Sequence, residues 1–202
     1  MKGLLATIGL RPTVSVRPAP RIEALPSELA DAVMAVYKAL GGRPDVPLRL
    51  RPGAWDLAFE DGLVVELDEE LHFNRYRALT LEADWCSTLP WRDDYLTFCR
   101  AREPSCLAAG KWGKRWTSPP CEAMFGAADS PGILWPSGAP RWKQRALYDV
   151  IKDAFALSGT SVRLVRLATY DYVDGVEVGA ALQGHAALDL RALAALMKRR
   201  ST

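Results

Sequence analysis

Asp56, Glu66 and Asp68 are the side chains in this sequence whose types and spacing most directly suggest chemistry. They lie in two short apolar runs, Trp55-Asp56-Leu57-Ala58-Phe59 and Leu63-Val64-Val65-Glu66-Leu67-Asp68, separated by Glu60-Asp61-Gly62. Asp-Gly between apolar runs is a strong hairpin signal. Side chains two apart on a strand share a face. Glu66 and Asp68 therefore project together on the Val64 face, and Leu63, Val65 and Leu67 line the other, with Asp56 on the facing strand. Carboxylates beside an apolar run repel and lose hydration at considerable cost unless positive charge arrives. A hard divalent cation answers this economically, because Mg²⁺ binds through one or two carboxylates plus water. The competing reading is a solvated hairpin end, with Glu60, Asp61, Glu66, Asp68, Glu69 and Glu70 all in water.

His72 follows these carboxylates and is one of two histidines. Its position suits proton transfer, whereas His185, in Gln183-Gly184-His185, has no acidic neighbours and reads as structural. Arg75 and Arg77 come next. They could clamp a phosphate bidentately, or pair along a helix with Glu69, Glu70 or Glu82. Lys143, Gln144 and Arg145 form a polar run on a later helix. Lys111 to Arg115 is basic with Trp112 inside it and Trp116 beside it, a combination that suits phosphate contact with base stacking. The alternative for Trp112, Trp116 and Trp135 is to cap a core beneath a loop.

The elements that must position these groups belong to a chain of 202 residues, with 49% hydrophobic and 25% charged residues. That composition predicts one globular domain over 1–202 with a single sizeable core. The net charge of +2 means that any nucleic-acid surface must come from local clustering of Arg and Lys. No apolar run approaches the roughly 20 residues of a membrane span, and the first ten residues lack a cleavage signal. The expectation is a cytoplasmic protein with no membrane partner. The four cysteines, Cys86, Cys99, Cys106 and Cys121, show no C-x2-C pair, so neither zinc nor a disulfide is expected. The pattern predicts an extended arm over 1–22, with Val14 and Val16 alternating, and a helix over 27–40. Extended runs follow at 48–50, 55–59 and 63–67, then helices over 69–86 and 91–102. A long irregular insertion rich in Trp, Cys, Gly and Pro spans 103–140. Beyond it come a helix over 141–157, a strand over 161–172, its hairpin partner over 176–182 and a helix over 188–200.

The run Trp55-Asp56-Leu57-Ala58-Phe59, then Gly62, then Val64-Val65-Glu66-Leu67-Asp68, with His72-Phe73 after it, resembles the PD-(D/E)xK nuclease superfamily. In style it is similar to the very-short-patch-repair-like members, where E-x-D is followed by His. The resemblance implies a restriction-endonuclease-like α/β core, a central mixed sheet flanked by helices. It implies Mg²⁺ (or Mn²⁺) as cofactor, Asp56 and Glu66 as metal ligands, and Asp68 assisting through water or a second ion. His72 would be the general base or water-orienting residue. The reaction would be phosphodiester hydrolysis of nucleic acid, DNA first, with Arg75, Arg77, Lys111, Arg115, Lys143, Gln144 and Arg145 positioning the backbone. Gln144 and Tyr148 reproduce a Gln-x3-Tyr spacing with which some exonuclease branches contact DNA. Two departures stand out: Asp68 occupies the place of the superfamily's usual lysine, and Glu69 that of a glycine common in the His-containing subgroup. The resemblance covers residues 48–77, under a sixth of the chain. The alternative function is a catalytically inactive module of this fold that binds nucleic acid or a protein partner. Cutting both strands of a duplex would favour a homodimer.

Overall fold

The computed structural model describes residues 1–7, 9–13, 18–46, 50–159 and 162–202. Helix α1 (Lys2–Thr7) opens the chain, so the expected extended arm begins as a helix, with Leu5 fully buried. Beyond it, Pro12 and Pro18 bridge Phe59 and Ala54, and the Thr13 amide donates to the Ala58 carbonyl at 2.9 Å. Val14 and Val16 lie outside the described residues, as do the first two positions of the run expected at 48–50. Helix α2 (Ser27–Ala39) buries Val33, Val36 and Tyr37, and Gly41 at φ +82° supplies the left-handed turn that stops it.

Strands β1 (Leu57–Ala58) and β2 (Leu63–Asp68) form the expected hairpin, with Gly62 at φ +81° in its turn. The single helix expected over 69–86 is broken. Glu70–His72 is a short 3-10 turn, and α3 (Arg75–Leu81) starts afresh because the Asn74 side chain accepts from the amides of Tyr76 and Arg77. An Asn cap of this kind satisfies amides that a continuous helix would bond internally.

Helix α4 (Arg92–Gly110) runs through Pro104 well past the expected end at 102. An interior proline costs a helix about 3 kcal/mol, and packing outweighs it: Cys106 is fully buried, and Gly110 lies against Leu71 and Trp142. A Cβ on Gly110 would come within 2.8 Å of both side chains. Gly110→Val should therefore lower stability by about 1–3 kcal/mol in urea denaturation through overpacking. An unchanged midpoint would show that this helix contact is slack.

The expected irregular insertion also contains α5 (Pro119–Phe125), whose first residues are prolines, a favoured helix start. Helix α6 (Pro140–Leu157) follows, then β3 (Arg163–Ala168). The expected strand over 161–172 stops early; its first residue lies outside the described set. A two-residue hairpin, β4 (Tyr172–Val173) and β5 (Val176–Glu177), turns through Asp174 and Gly175, both at positive φ. The partner strand expected over 176–182 becomes α7 (Val178–Leu182) after two residues, where the Gly179 amide bonds the Thr169 carbonyl at 2.7 Å. Helix α8 (Leu190–Arg199), capped by Asp189, closes the fold.

The main sheet has the order β1-β2-β3, with β1 antiparallel and β3 parallel to β2. Parallel neighbours require a long crossover, which α3 to α6 supply. The period of two holds along β2: Val64 packs with Phe73, Leu81, Trp91 and Tyr95, while Leu63 and Val65 pack with Val178, Leu193 and Met197. A third apolar cluster joins α2 to α6 through Tyr37, Trp142, Leu147 and Ile151. The fold is thus mixed α/β, a small mixed sheet with helices on both faces. Among the described residues no helix is long and apolar enough to cross a membrane.

Candidate functional site

The hairpin register pairs Leu57 with Val65, which sets Asp56 opposite Glu66 one step further along. The two are tied together directly. The Asp56 amide donates to Glu66 Oε1 at 3.2 Å, and the Leu67 amide donates to Asp56 Oδ2 at 2.9 Å. Asp56 is exposed, but Glu66 is only 3% exposed. A lysine distant in sequence reaches it: Lys152 on α6 donates to Glu66 Oε2 at 2.7 Å and to the Ala54 carbonyl at 2.9 Å. Burial pushes the Glu66 carboxyl up to about 7, against the downward pull of Arg166 and Lys152. A carboxyl so desolvated still accommodates positive charge, and its hard oxygens together with those of Asp56 are the donor type that Mg²⁺ takes.

Two residues further along β2, Asp68 belongs to a second group. Arg166, opposite Glu66 in the parallel register, donates through Nη1 to both Asp68 oxygens at 3.0 and 2.9 Å, and the Tyr95 hydroxyl donates to Oδ2 at 2.8 Å. Arg166 Nε also donates to Asp153 Oδ1 at 2.7 Å, and Arg77 Nη2 to Asp153 Oδ2 at 2.8 Å. His72 Nδ1 lies 2.9 Å from Asp149 Oδ2 and 3.1 Å from Asp68 Oδ1. Asp149, Lys152 and Asp153 share one face of α6 by helical spacing, and that face is laid on the sheet. Three carboxylates therefore meet the guanidinium groups of Arg77 and Arg166 and the imidazole of His72. Asp68, His72 and Asp149 offer ligand atoms within 4.8 Å of one another, so an ion could replace the His72 proton there.

Burial lowers the His72 pKa, but Asp149 and Asp68 outweigh it and hold the imidazole above its usual 6.5. For Asp149, burial raises the pKa, and His72 and Arg166 overturn that and hold it far below the ordinary carboxylate range. A group raised on folding stabilises the fold fully below its unfolded pKa and loses that contribution as pH rises through the folded value. Chemical denaturation across a pH series should show stability falling above about pH 6.5 in this way. His72→Gln should remove that part of the slope, and an identical slope in the variant would exclude His72 as its source.

Several expected site residues sit elsewhere. Asp68, at 1% exposure, is held by Arg166 and Tyr95, and its ligand atoms come together with those of His72 and Asp149 rather than with the Asp56 and Glu66 pair. Arg77, at 1% exposure, is a buried partner of Asp153 and cannot reach a phosphate backbone. Arg75 binds Glu103 through Nε at 2.9 Å and Nη2 at 2.7 Å, rather than Glu69, Glu70 or Glu82. Lys143 is buried between the Tyr76 and Phe125 rings, and Gln144 is buried against Cys121, Met124 and Arg141. Neither is free to position a backbone, because α6 is enclosed on most of its circumference. Arg145 is half-buried and donates to the Leu71 carbonyl at 3.2 Å. Lys111 and Arg115 do lie on the surface beside exposed Trp112, whereas Trp116 is buried edge-on against Trp142. The four cysteines are free and buried, and burial pushes Cys86, Cys99 and Cys106 up to about 12.

Lys152, Asp149, Asp153, Arg166 and Tyr95 were missed. Arg166 carried a usable signal, since a lone arginine within Leu164-Val165-Arg166-Leu167 falls on an inward strand position.

A family model described as a family of unknown function (DUF7255) matches residues 35–184, a span that includes both groups. No curated protein and no solved structure matches the chain.

Proposed function

We propose, since the chain belongs to a family of unknown function (DUF7255), a reading that rests on its own geometry: metal-dependent phosphodiester hydrolysis of nucleic acid, DNA first, on a restriction-endonuclease-like core. One observation carries it. The hairpin register continues to Asp56 opposite Glu66, the Asp56 amide donates to Glu66 Oε1 at 3.2 Å, and the Lys152 ammonium donates to Oε2 at 2.7 Å. In sequence the place of the superfamily's lysine is taken by Asp68; in space a lysine from α6 reaches the glutamate instead. Asp56 and Glu66 would hold Mg²⁺ or Mn²⁺, which when bound supplies Lewis acidity at a phosphoryl oxygen and acidifies a coordinated water. Lys152 fixes one Glu66 oxygen. His72 has its Nδ1 held between Asp149 and Asp68, which leaves Nε2 as the nitrogen that takes up or gives a proton. Asp149 and Asp68 orient the ring.

A second reading is favoured by a specific feature: Lys152 and Arg166 already neutralise Glu66 and Asp68. That state suits a catalytically inactive module of the same fold that binds nucleic acid or a protein partner. Titration calorimetry with Mg²⁺ and Mn²⁺ separates the two. The hydrolase reading expects the wild type to bind an ion and Glu66→Gln, which preserves shape and one acceptor for Lys152, to lose it. A wild type that binds neither ion leaves the inactive module standing.

A further inference from the structure

We propose that the face of α4 running from Pro104 through Leu107 to Lys111, together with the loop at 132–135, is a docking surface for single-stranded nucleic acid, on which Trp112 and Trp135 stack bases. The inference rests on the hydrolase reading for its class of partner and adds the strandedness. Trp135 is 78% exposed, Trp112 63% and Ile133 53%, and few large apolar side chains among the described residues are exposed at all. A groove of about 440 Å³ lies between the 132–135 loop and α4, lined by Arg75 and its partner Glu103 and by Pro104, Leu107, Ile133 and Trp135. Leu107 and Lys111 are one helical turn apart on the same face, so the groove floor leads to Lys111, whose ammonium lies 5.0 Å from the Trp112 ring centroid. Seven residues of helix separate Pro104 from Lys111, roughly 10 Å.

The loop holds Trp135 out firmly. Asp129 accepts from the amides of Ser137 and Gly138 at 2.8 and 2.7 Å, the Trp116 indole donates to the Asp129 carbonyl at 2.8 Å, and the Tyr76 hydroxyl donates to the Leu134 carbonyl at 3.2 Å. Those bonds also occupy the local acids. Asp129 is engaged by the loop, Glu103 by Arg75 and Glu122 by Thr117. Lys111, Lys114 and Arg115 therefore present positive charge with no carboxylate facing it among these neighbours. Indole faces beside cations fit bases whose own faces are open and whose phosphates are close by, the state of a single strand. A duplex hides its base faces within its own stack.

The test uses the whole chain in EDTA, so that binding is read without cleavage. Probes are a labelled oligothymidylate of about 12 nucleotides, within the usual site size, and its duplex with oligodeoxyadenylate, both followed by anisotropy and by tryptophan quenching. The single strand should bind more tightly than the duplex and quench the indoles. Trp112→Ala and Trp135→Ala should each weaken it by about tenfold, and Trp135→Phe should recover most of the loss. Lys114→Gln should lower the salt slope by about 0.7. Equal affinity of the alanine variants, tighter duplex binding, or no binding of either probe overturns the proposal. Cleavage by the wild type with unaltered binding in the tryptophan variants would remove this surface and leave the hydrolase. Single-strand binding without cleavage under either metal would do the reverse.

Discussion

Glu66→Gln and Asp56→Asn should each reduce Mg²⁺- or Mn²⁺-dependent cleavage of a labelled oligonucleotide by on the order of 10²–10³-fold or more, the scale on which a lost electrostatic stabiliser is felt. Both changes keep side-chain shape. The glutamine oxygen can still accept from Lys152 at the loss of the longer 3.2 Å bond from the Asp56 amide, and Asp56 is exposed, so the fold should survive each one. Nucleic-acid affinity without metal should stay the same or improve slightly, since negative charge near the phosphate is removed. His72→Gln should slow cleavage by ~10²–10⁴-fold, the range for a lost acid–base group, and should leave ion binding at Asp56 and Glu66 nearly unchanged. A wild type that binds nucleic acid but cuts neither single strands nor duplex with either ion would sink the hydrolase reading.

Arg166→Met should be the most destabilising single change in the chain. Arg166 is fully buried and serves Asp68, Asp149 and Asp153 at once. Its loss strands carboxylates inside the fold, and breaking a buried pair in this way costs about 3–5 kcal/mol. Against a total stability of about 5–15 kcal/mol, urea denaturation should show a large fall in midpoint. The cost is one of unpaired charge rather than lost packing, so Asp68→Asn added to Arg166→Met should recover part of it, a non-additive result. A loss below about 1 kcal/mol would place the network in the range of solvated surface pairs and contradict its burial.

The hairpin could be read locally because its signals are local. Asp61-Gly62 fixes the turn, and the period of two puts Glu66 and Asp68 on the Val64 face, as found. The environment of those carboxylates could not be read in this way. Lys152 meets Glu66 across 86 positions and Arg166 meets Asp68 across 98, and nothing in a local pattern dictates the parallel pairing of β2 with β3. The solvated-end reading and the metal reading both lacked these internal cations. The polar residues of α6 misled for a related reason: Lys143 and Gln144 look like an outer face until helices cover both sides. The break at Asn74 was visible in principle, because Asn is a strong cap. The run of α4 through Pro104 was not, since tertiary packing there overrides a local penalty.

The margins of the sheet bear on how copies of this protein could associate. Outside β1, Pro12 bridges Phe59 and Pro18 bridges Ala54; outside β3, Ser201 bridges Val165 and the Thr202 amide bonds the Leu164 carbonyl at 3.1 Å. Unsatisfied strand edges are what let one chain add to another or seed aggregates, and among the described residues each flank of the main sheet carries bridges from the chain itself. Removing residues 201–202 would uncover the outer edge of β3 at Val165 and Leu164, and size-exclusion chromatography should then show more self-association.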